Sequence, residues 1–183
     1  MNETINSIMQ RNSCRDFAAT PLTEQQIKAL VEAALAAPSA RNLQPWHVSV
    51  VTDKKLIEEM DTAGMEVLAA DEDKSDYNLI MERGGKLLYN APCIIVISSD
   101  GSKWGQMDSG ILCQNIAIAA QSMGLANCIV GFLRVPLSGP RGKEFIERMK
   151  FPQGNEFAVS ILVGTANKSK TPHPLDFNKV SYI

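Results

Sequence analysis

The segment Arg11-Asn12-Ser13-Cys14-Arg15-Asp16-Phe17 holds a dense set of groups able to bind an anion. In an extended backbone, residues 11, 13 and 15 point to one side. Two guanidinium forks and a hydroxyl then converge. That set suits a phosphate monoester, which takes bidentate hydrogen bonds from Arg and a further one from Ser. The same residues also suit a solvated helix end, where the helix dipole favours Arg. A second group lies in Pro38-Ser39-Ala40-Arg41-Asn42-Leu43-Gln44-Pro45-Trp46. Asn42 and Gln44 share a side and offer both donors and acceptors, as an amide-bearing ring edge requires. The alternative there is turn chemistry. Gly131, at the end of an apolar run, either lets a flat ligand approach backbone N–H groups or marks a bulge. Cys14, between Arg11 and Arg15, is a candidate thiolate.

Other chemistries lack their residues. GxGxxG is absent, and neither Gly85-Lys86 nor Gly142-Lys143 has the partner glycine and hydroxyl of a P-loop. No GxSxG occurs, and His47 and His173 are the only histidines a triad could recruit. The four cysteines, at 14, 93, 113 and 128, form no CxxC pair, so a structural zinc site is not expected. Cys93 and Cys128 fall in apolar runs, as small core residues do. The 18 Lys and Arg against 20 Asp and Glu give a net charge of -2 with no basic run, unlike a nucleic-acid binder. Apolar stretches such as Cys93 to Ile97 are far below the roughly 18 residues that span a bilayer. The opening MNETINSIMQ lacks the pattern of a secretory signal, so a cytoplasmic location is the expectation.

The elements that must position these groups are legible from periodicity. The length of 183 residues, 45% hydrophobic and 21% charged, predicts one globular domain over residues 1–183. Ile5, Ile8 and Met9 mark a short amphipathic helix leading into Arg11. Thr23 and Gln26 form a capping box for a helix whose Ile27, Leu30, Val31, Ala34 and Leu35 share a face, and Pro38 ends it. Trp46 to Thr52 reads as a strand, and Asp53 caps a further helix. The acidic stretch from Ala69 to Asn78 reads as a flexible surface excursion, followed by a helix near Leu79 to Leu88. PCIIVISS lacks polar alternation, the mark of a strand covered on both faces. Ser102 is placed to cap a helix running to about Met123, so apolar that it must be buried on more than one side. Ala126 to Phe132 gives another strand, then the turn-rich PLSGPRG, a helix at Lys143 to Met149, the strand EFAVSILVG and an extended tail. Helices around about four strands define an α+β or α/β class with a helix-covered sheet.

Several of these motifs together resemble a known family. RNSCRDF is similar to the N-terminal R-x-S-x-R-x-F signature of nitroreductase-like flavoproteins, and APSARNLQPWHV to that family's P-S-x-x-N-x-Q-P-W segment. The resemblance continues through APCIIVI and DSGILCQNIAIAAQSMGLANCIVGF to Gly164, covering roughly residues 5 to 165.

The resemblance implies an α+β sandwich: a mixed, mainly antiparallel central sheet of about four to five strands flanked by helices, in an intertwined homodimer with FMN at the interface. Arg11, Asn12, Ser13 and Arg15 of one subunit would hold the phosphate, the ribityl chain and the polar edge of the flavin. Pro38, Ser39, Ala40, Asn42 and Gln44 would come from the partner. Val130 and Gly131 match the strand end near the reactive N5, and among Lys168, Lys170 and His173 the tail residue assigned to the phosphate is Lys170. Cys14 stands where another residue type is usual, and Asn12 replaces a frequent basic residue. No side-chain catalyst is implied, because the chemistry lies at N5. The implied activity is ping-pong reduction of small acceptors, nitroaromatics, quinones or similar, by NADH or NADPH, which would visit as a transient substrate. A non-catalytic flavin carrier of the same fold is the competing reading.

Overall fold

The computed structural model describes residues 2–168 and 170–183. The elements run α1 (Glu3–Gln10), α2 (Glu24–Leu35), a short 3-10 turn (Ala40–Asn42), β1 (Trp46–Val51), α3 (Lys54–Ala70), α4 (Ser75–Glu82), β2 (Cys93–Ser99), α5 (Gly105–Ser122), β3 (Ala126–Val130), α6 (Arg134–Ser138), α7 (Gly142–Arg148), β4 (Glu156–Gly164) and a second 3-10 turn (Phe177–Lys179). The fold is α+β, as the sequence implied. The order across the sheet is β1-β2-β4-β3, and all three ladders are antiparallel. The parallel component is an isolated bridge between Ser13 and Asn127.

β2 lies inside the sheet, and every one of its residues is buried. Its side chains alternate between two cores. Ile94 and Val96 join Leu56, Met60, Ile80, Leu137 and Phe145 from α3, α4, α6 and α7. Cys93, Ile95 and Ile97 join Leu30 and Ala34 of α2 and Leu112, Ile116 and Ala120 of α5. This two-sided burial is why the strand carries a continuous apolar run. α5 is covered by the sheet on one side and by α2 on another, where Asn115 Nδ2 donates to Ala33 O at 3.1 Å. Among the described residues no helix is long and apolar enough to cross a membrane.

Caps set the boundaries. Asn2 accepts from Ile5 N at the start of α1. The Thr23–Gln26 box is reciprocal, at 2.8 and 3.2 Å. Four boundaries differ from the sequence reading; β3, expected to run to Phe132, ends at Val130. The acidic excursion shrinks to residues 71–74, because Asp71 accepts from Asp73 N and Asp73 from Ser75 N, folding a tight turn between α3 and α4. The helix expected at Leu79 to Leu88 lies earlier, at Ser75–Glu82, since Gly84 and Gly85 take positive φ and end it. Ser102 does not cap α5 with its side chain; Trp104 occupies the N-cap. The turn-rich PLSGPRG holds part of α6, whose Pro136 sits in the first turn, where no backbone donor is needed.

Ile95 has no exposed surface and contacts the α2 and α5 face. Ile95→Ala is expected to lower unfolding free energy by about 2–5 kcal/mol, read as a shifted denaturant midpoint with unchanged slope.

Candidate active site

The residues following α1 are held extended by backbone pairing. Arg11 ends the helix with φ -59° and ψ 132°. The Cys14 N–H donates to Asn127 O at 2.9 Å. Phe17 N donates to Tyr89 O at 3.4 Å and Ala18 N to Thr165 O at 2.8 Å. The segment is thereby tied to β3, to the turn before β2 and to the chain leaving β4. Asn127 is itself completely buried, and its Nδ2 donates to Ala117 O of α5 at 3.1 Å. Gly164 is required at the crossing, because an added Cβ would lie 2.7 Å from Pro92 Cδ and 3.1 Å from Phe17 Cδ1.

This segment forms one wall of a cavity of about 650 Å³. Ser13 and Arg15 line it, as does Lys170, the tail residue assigned from sequence. Arg83, Lys86 and Lys168 add positive charge that the sequence reading did not assign to the site, against the acids Asp16 and Glu82. Asp16 is engaged elsewhere: Asn167 Nδ2 donates to its Oδ1 at 2.8 Å, and Lys168 Nζ lies 3.8 Å from Oδ2. The cavity is therefore basic, and it is large enough for a phosphate with a ring system attached. Arg83 and Lys86 follow α4 on a glycine turn, and only the fold brings them to Ser13. Tyr89 and Asn90 on the same wall have φ of +50° and +57°. Non-glycine residues in this region cost energy and gather at sites that need a fixed shape.

Arg11 and Asn12 do not line this cavity. Burial pushes the neighbouring Cys128 thiol up, against the opposing pull of Arg15, Ser13 and Arg11. The Asn12 side chain donates to Gln10 O at 3.3 Å, finishing the helix end. The thiolate reading of Cys14 is overturned. Its residue is 7% exposed, its Sγ donates to Asp16 O at 3.3 Å, and burial pushes the thiol pKa up despite Arg15 and Lys170. The buried Cys93 and Cys113 thiols are pushed up to about 12.

The second candidate segment is a rigid outward-facing loop. Arg41, Asn42 and Gln44 have φ of +54°, +55° and +49°. Gln44 N donates to Ser39 Oγ at 2.9 Å, and Gln44 Nε2 to Asn42 Oδ1 at 3.0 Å. Asn42 and Gln44 thus do share a side, and both are exposed. Asp108, buried in the first turn of α5, accepts from Ala40 N with both carboxylate oxygens at 3.2 Å. Its sequence signal is that it is the lone charged residue of α5. Pro38, Ser39, Ala40, Asn42 and Gln44 do not line the cavity of Ser13 and Arg15 in the same chain. Val130 ends β3 with its carbonyl accepting from Ser160 Oγ at 2.8 Å. Gly131 follows with nothing within 4 Å of a notional Cβ, and β3 pairs with β4 without a bulge, so packing does not demand this glycine.

An antiparallel sheet between helical layers, with a basic cavity beside the segment docked on β3 and a strained polar loop beyond α2, defines an α+β fold. Residues 8–164 match the nitroreductase family. The chain belongs to that family. It is 32% identical over 135 residues to an NADPH-flavin oxidoreductase of Vibrio harveyi, a match covering 73% of this chain and 55% of that protein. It is 29% identical over 203 residues to an FMN reductase [NAD(P)H] of Bacillus subtilis, covering 100% of this chain and 76% of that one. The chain thus spans little more than half the length of the Vibrio relative. A crystal structure of a nitroreductase with bound FMN from Desulfitobacterium hafniense superposes with a TM-score of 0.97 at 46% identity, covering 100% of this chain and 99% of that one. A Bacteroides fragilis structure at 22% identity shares the fold, with a TM-score of 0.89 and 100% coverage of both chains.

With its thiol buried, Cys14 is expected to resist iodoacetamide at pH 8 in the native protein and to be alkylated after denaturation. Peptide mass mapping checks this; rapid native alkylation would restore the thiolate reading.

Proposed function

We propose that the chain is a single-domain FMN-dependent oxidoreductase that takes reducing equivalents from NADH or NADPH and passes them to small acceptors, nitroaromatics, quinones or similar. The observation that carries this reading is the basic cavity bounded by the docked Ser13-to-Arg15 segment. Its donor set fits FMN: a hydroxyl and guanidinium forks for a phosphate dianion, with further cations from the tail and the turn after α4. The 46% identity to an FMN-bound nitroreductase over nearly the whole of both chains supports it.

The proposed cofactor residues are Arg11, Asn12, Ser13, Arg15, Val130, Gly131 and Lys170 of one protomer, with Pro38, Ser39, Ala40, Asn42 and Gln44 of a second copy. Arg83, Lys86 and Lys168 join them. A homodimer accounts for two features. The polar loop at 38–44 faces outward from its own chain. Ile5 and Ile8 of α1, Met107 and Ile111 of α5, and Leu175, Phe177 and Tyr182 of the tail are also exposed, an apolar surface that association would cover.

Bound FMN supplies hydride acceptance and release at its ring, chemistry that side chains cannot supply. The protein's share is binding, orientation and charge. Ser13 and Lys170 hold the phosphate end. Arg15 offsets the negative charge gained on reduction, a preorganised interaction that costs no rearrangement during turnover. The backbone at Val130 and Gly131, left open by the absent Cβ, orients the ring's reactive edge. No side-chain acid or base is required. The nicotinamide nucleotide visits and leaves before the acceptor enters, so no dedicated dinucleotide fold is needed.

The test is the visible spectrum after mixing with FMN and desalting, followed by anaerobic NADH and then NADPH. Retained flavin that bleaches is the expected result and identifies the donor. Retained flavin that stays oxidised with both favours a carrier, and no retention overturns the cofactor assignment. Arg15→Ala is expected to weaken FMN binding by roughly 10- to 100-fold, the loss of one charge-assisted hydrogen-bonding group, and to slow reduction. Unchanged reduction kinetics would remove Arg15 from its role.

A further inference from the structure

α3 carries a carboxylate that the proposed mechanism does not use. Asp61 is 4% exposed. Its Oδ1 accepts from Leu88 N at 2.7 Å, and its Oδ2 lies 3.4 Å from Lys86 Nζ. One turn along the same helix face, Gly64 leaves room for Leu87; an added Cβ would stand 3.1 Å from Leu87 Cδ2. Asp61 and Gly64 therefore close α3 onto the turn at residues 86–88.

That turn reaches the site by two routes. Lys86 lines the basic cavity, and so do Tyr89 and Asn90 with their positive φ. Tyr89 O accepts from Phe17 N, at the end of the segment that carries Ser13 and Arg15. Lys86 and Asn90 also border a second, largely apolar cavity of about 680 Å³, in whose wall Asp61 stands. Asp61 lines this second cavity and not the basic one, so Lys86 stands between the two with its ammonium paired to the carboxylate. The carboxylate of this pair is buried and the ammonium half-exposed.

We propose that Asp61 is a positioning residue: by clasping the Leu88 N–H and the Lys86 ammonium at once, it fixes Lys86 as a cationic wall of the FMN cavity. The inference rests on the FMN reading for its ligand, but the clasp itself is a property of this chain alone. Burial raises the pKa of Asp61, outweighing Lys86 and the backbone donors. Holding this buried charge carries a desolvation cost. An amide at this position keeps an acceptor for Leu88 N and removes that cost, but cannot hold the ammonium.

Asp61→Asn is expected to keep or raise the Tm at pH 7. FMN affinity should fall roughly tenfold, as when a charge-assisted contact is misplaced. In the cofactor-free protein, acylation of Lys86 by an amine-reactive ester, followed by mass spectrometry, should run several-fold faster. Lys86→Met, which removes a half-exposed side chain, should weaken FMN to a similar extent. The double variant should be no weaker than Lys86→Met alone, because both changes remove one interaction. Unchanged acylation of Lys86 in Asp61→Asn overturns the clasp, whatever happens to the Tm. Faster acylation with FMN bound as tightly as by the wild type, or additive losses in the double variant, overturns its role in the cavity. Failure of the wild type to bind FMN would strike the functional reading instead, with the acylation rates still deciding whether Asp61 holds Lys86.

Discussion

The site depends on a short run of backbone hydrogen bonds that sew residues 13–18 onto the sheet. An exposed extended segment has no intrinsic reason to stay extended, since its N–H and C=O groups are equally satisfied by water. Here Cys14 N, Phe17 N and Ala18 N each find a carbonyl on a different part of the sheet framework. Asn127 anchors the first of these, and it is fixed from behind by its own side-chain bond to α5. The placement of residues 13–16 on the cavity is thus imposed by β3, and the buried helix behind β3 sets its position. Phe17 and Cys14 meanwhile are buried in the core and anchor the segment.

A second regularity concerns buried carboxylates. Asp61 and Asp108 are both almost without exposed surface, on helices facing opposite sides of the sheet. Each accepts from the backbone N–H of a segment whose neighbouring residues have positive φ: Leu88, next to Tyr89 and Asn90, and Ala40, next to Arg41 and Asn42. Strained loops persist only where surrounding contacts over-determine them. A carboxylate is a strong acceptor with more than one lone pair available, so a single side chain can hold a turn that the loop's own residues would not adopt. The two loops so held are the outward polar loop and the cavity wall, the pieces that the proposed reading needs rigid.

Much of this architecture is written locally and can therefore be read. The Thr23–Gln26 box, the unbroken apolar run of β2 and the near absence of polar surface on α5 each follow from contacts within a few residues or from two-sided burial. Ser13 and Arg15 were legible as cavity neighbours because they stand two residues apart, whereas Arg11, expected to converge with them, does not line the cavity. What escaped is what only the fold assembles. Arg83 and Lys86 lie some seventy residues from Ser13, on a turn whose direction depends on Asp61. The excursion expected at 69–78 failed for the opposite reason: Asp71 and Asp73, read as solvated charges, act as local acceptors that tighten the turn. Acidity alone does not distinguish a mobile stretch from a capped one; the two-residue spacing to a free N–H does.

The charge distribution joins these strands of the argument. The whole chain is slightly acidic, yet the cavity beside residues 13–15 gathers five cations, Arg15, Arg83, Lys86, Lys168 and Lys170, drawn from three separate stretches of sequence. Like charges at close range repel, and such a group is stable in the absence of a ligand only where carboxylates share the load. Asp16 takes Lys168, and Asp61 takes Lys86, each at the margin of the cavity. Arg15, Arg83 and Lys170 have no ion pair of this kind among the described residues, which leaves these three as the charges to be satisfied by an incoming anion. The carboxylates thus do two things at once: they let the basic wall exist in the folded chain, and they fix where two of its cations stand.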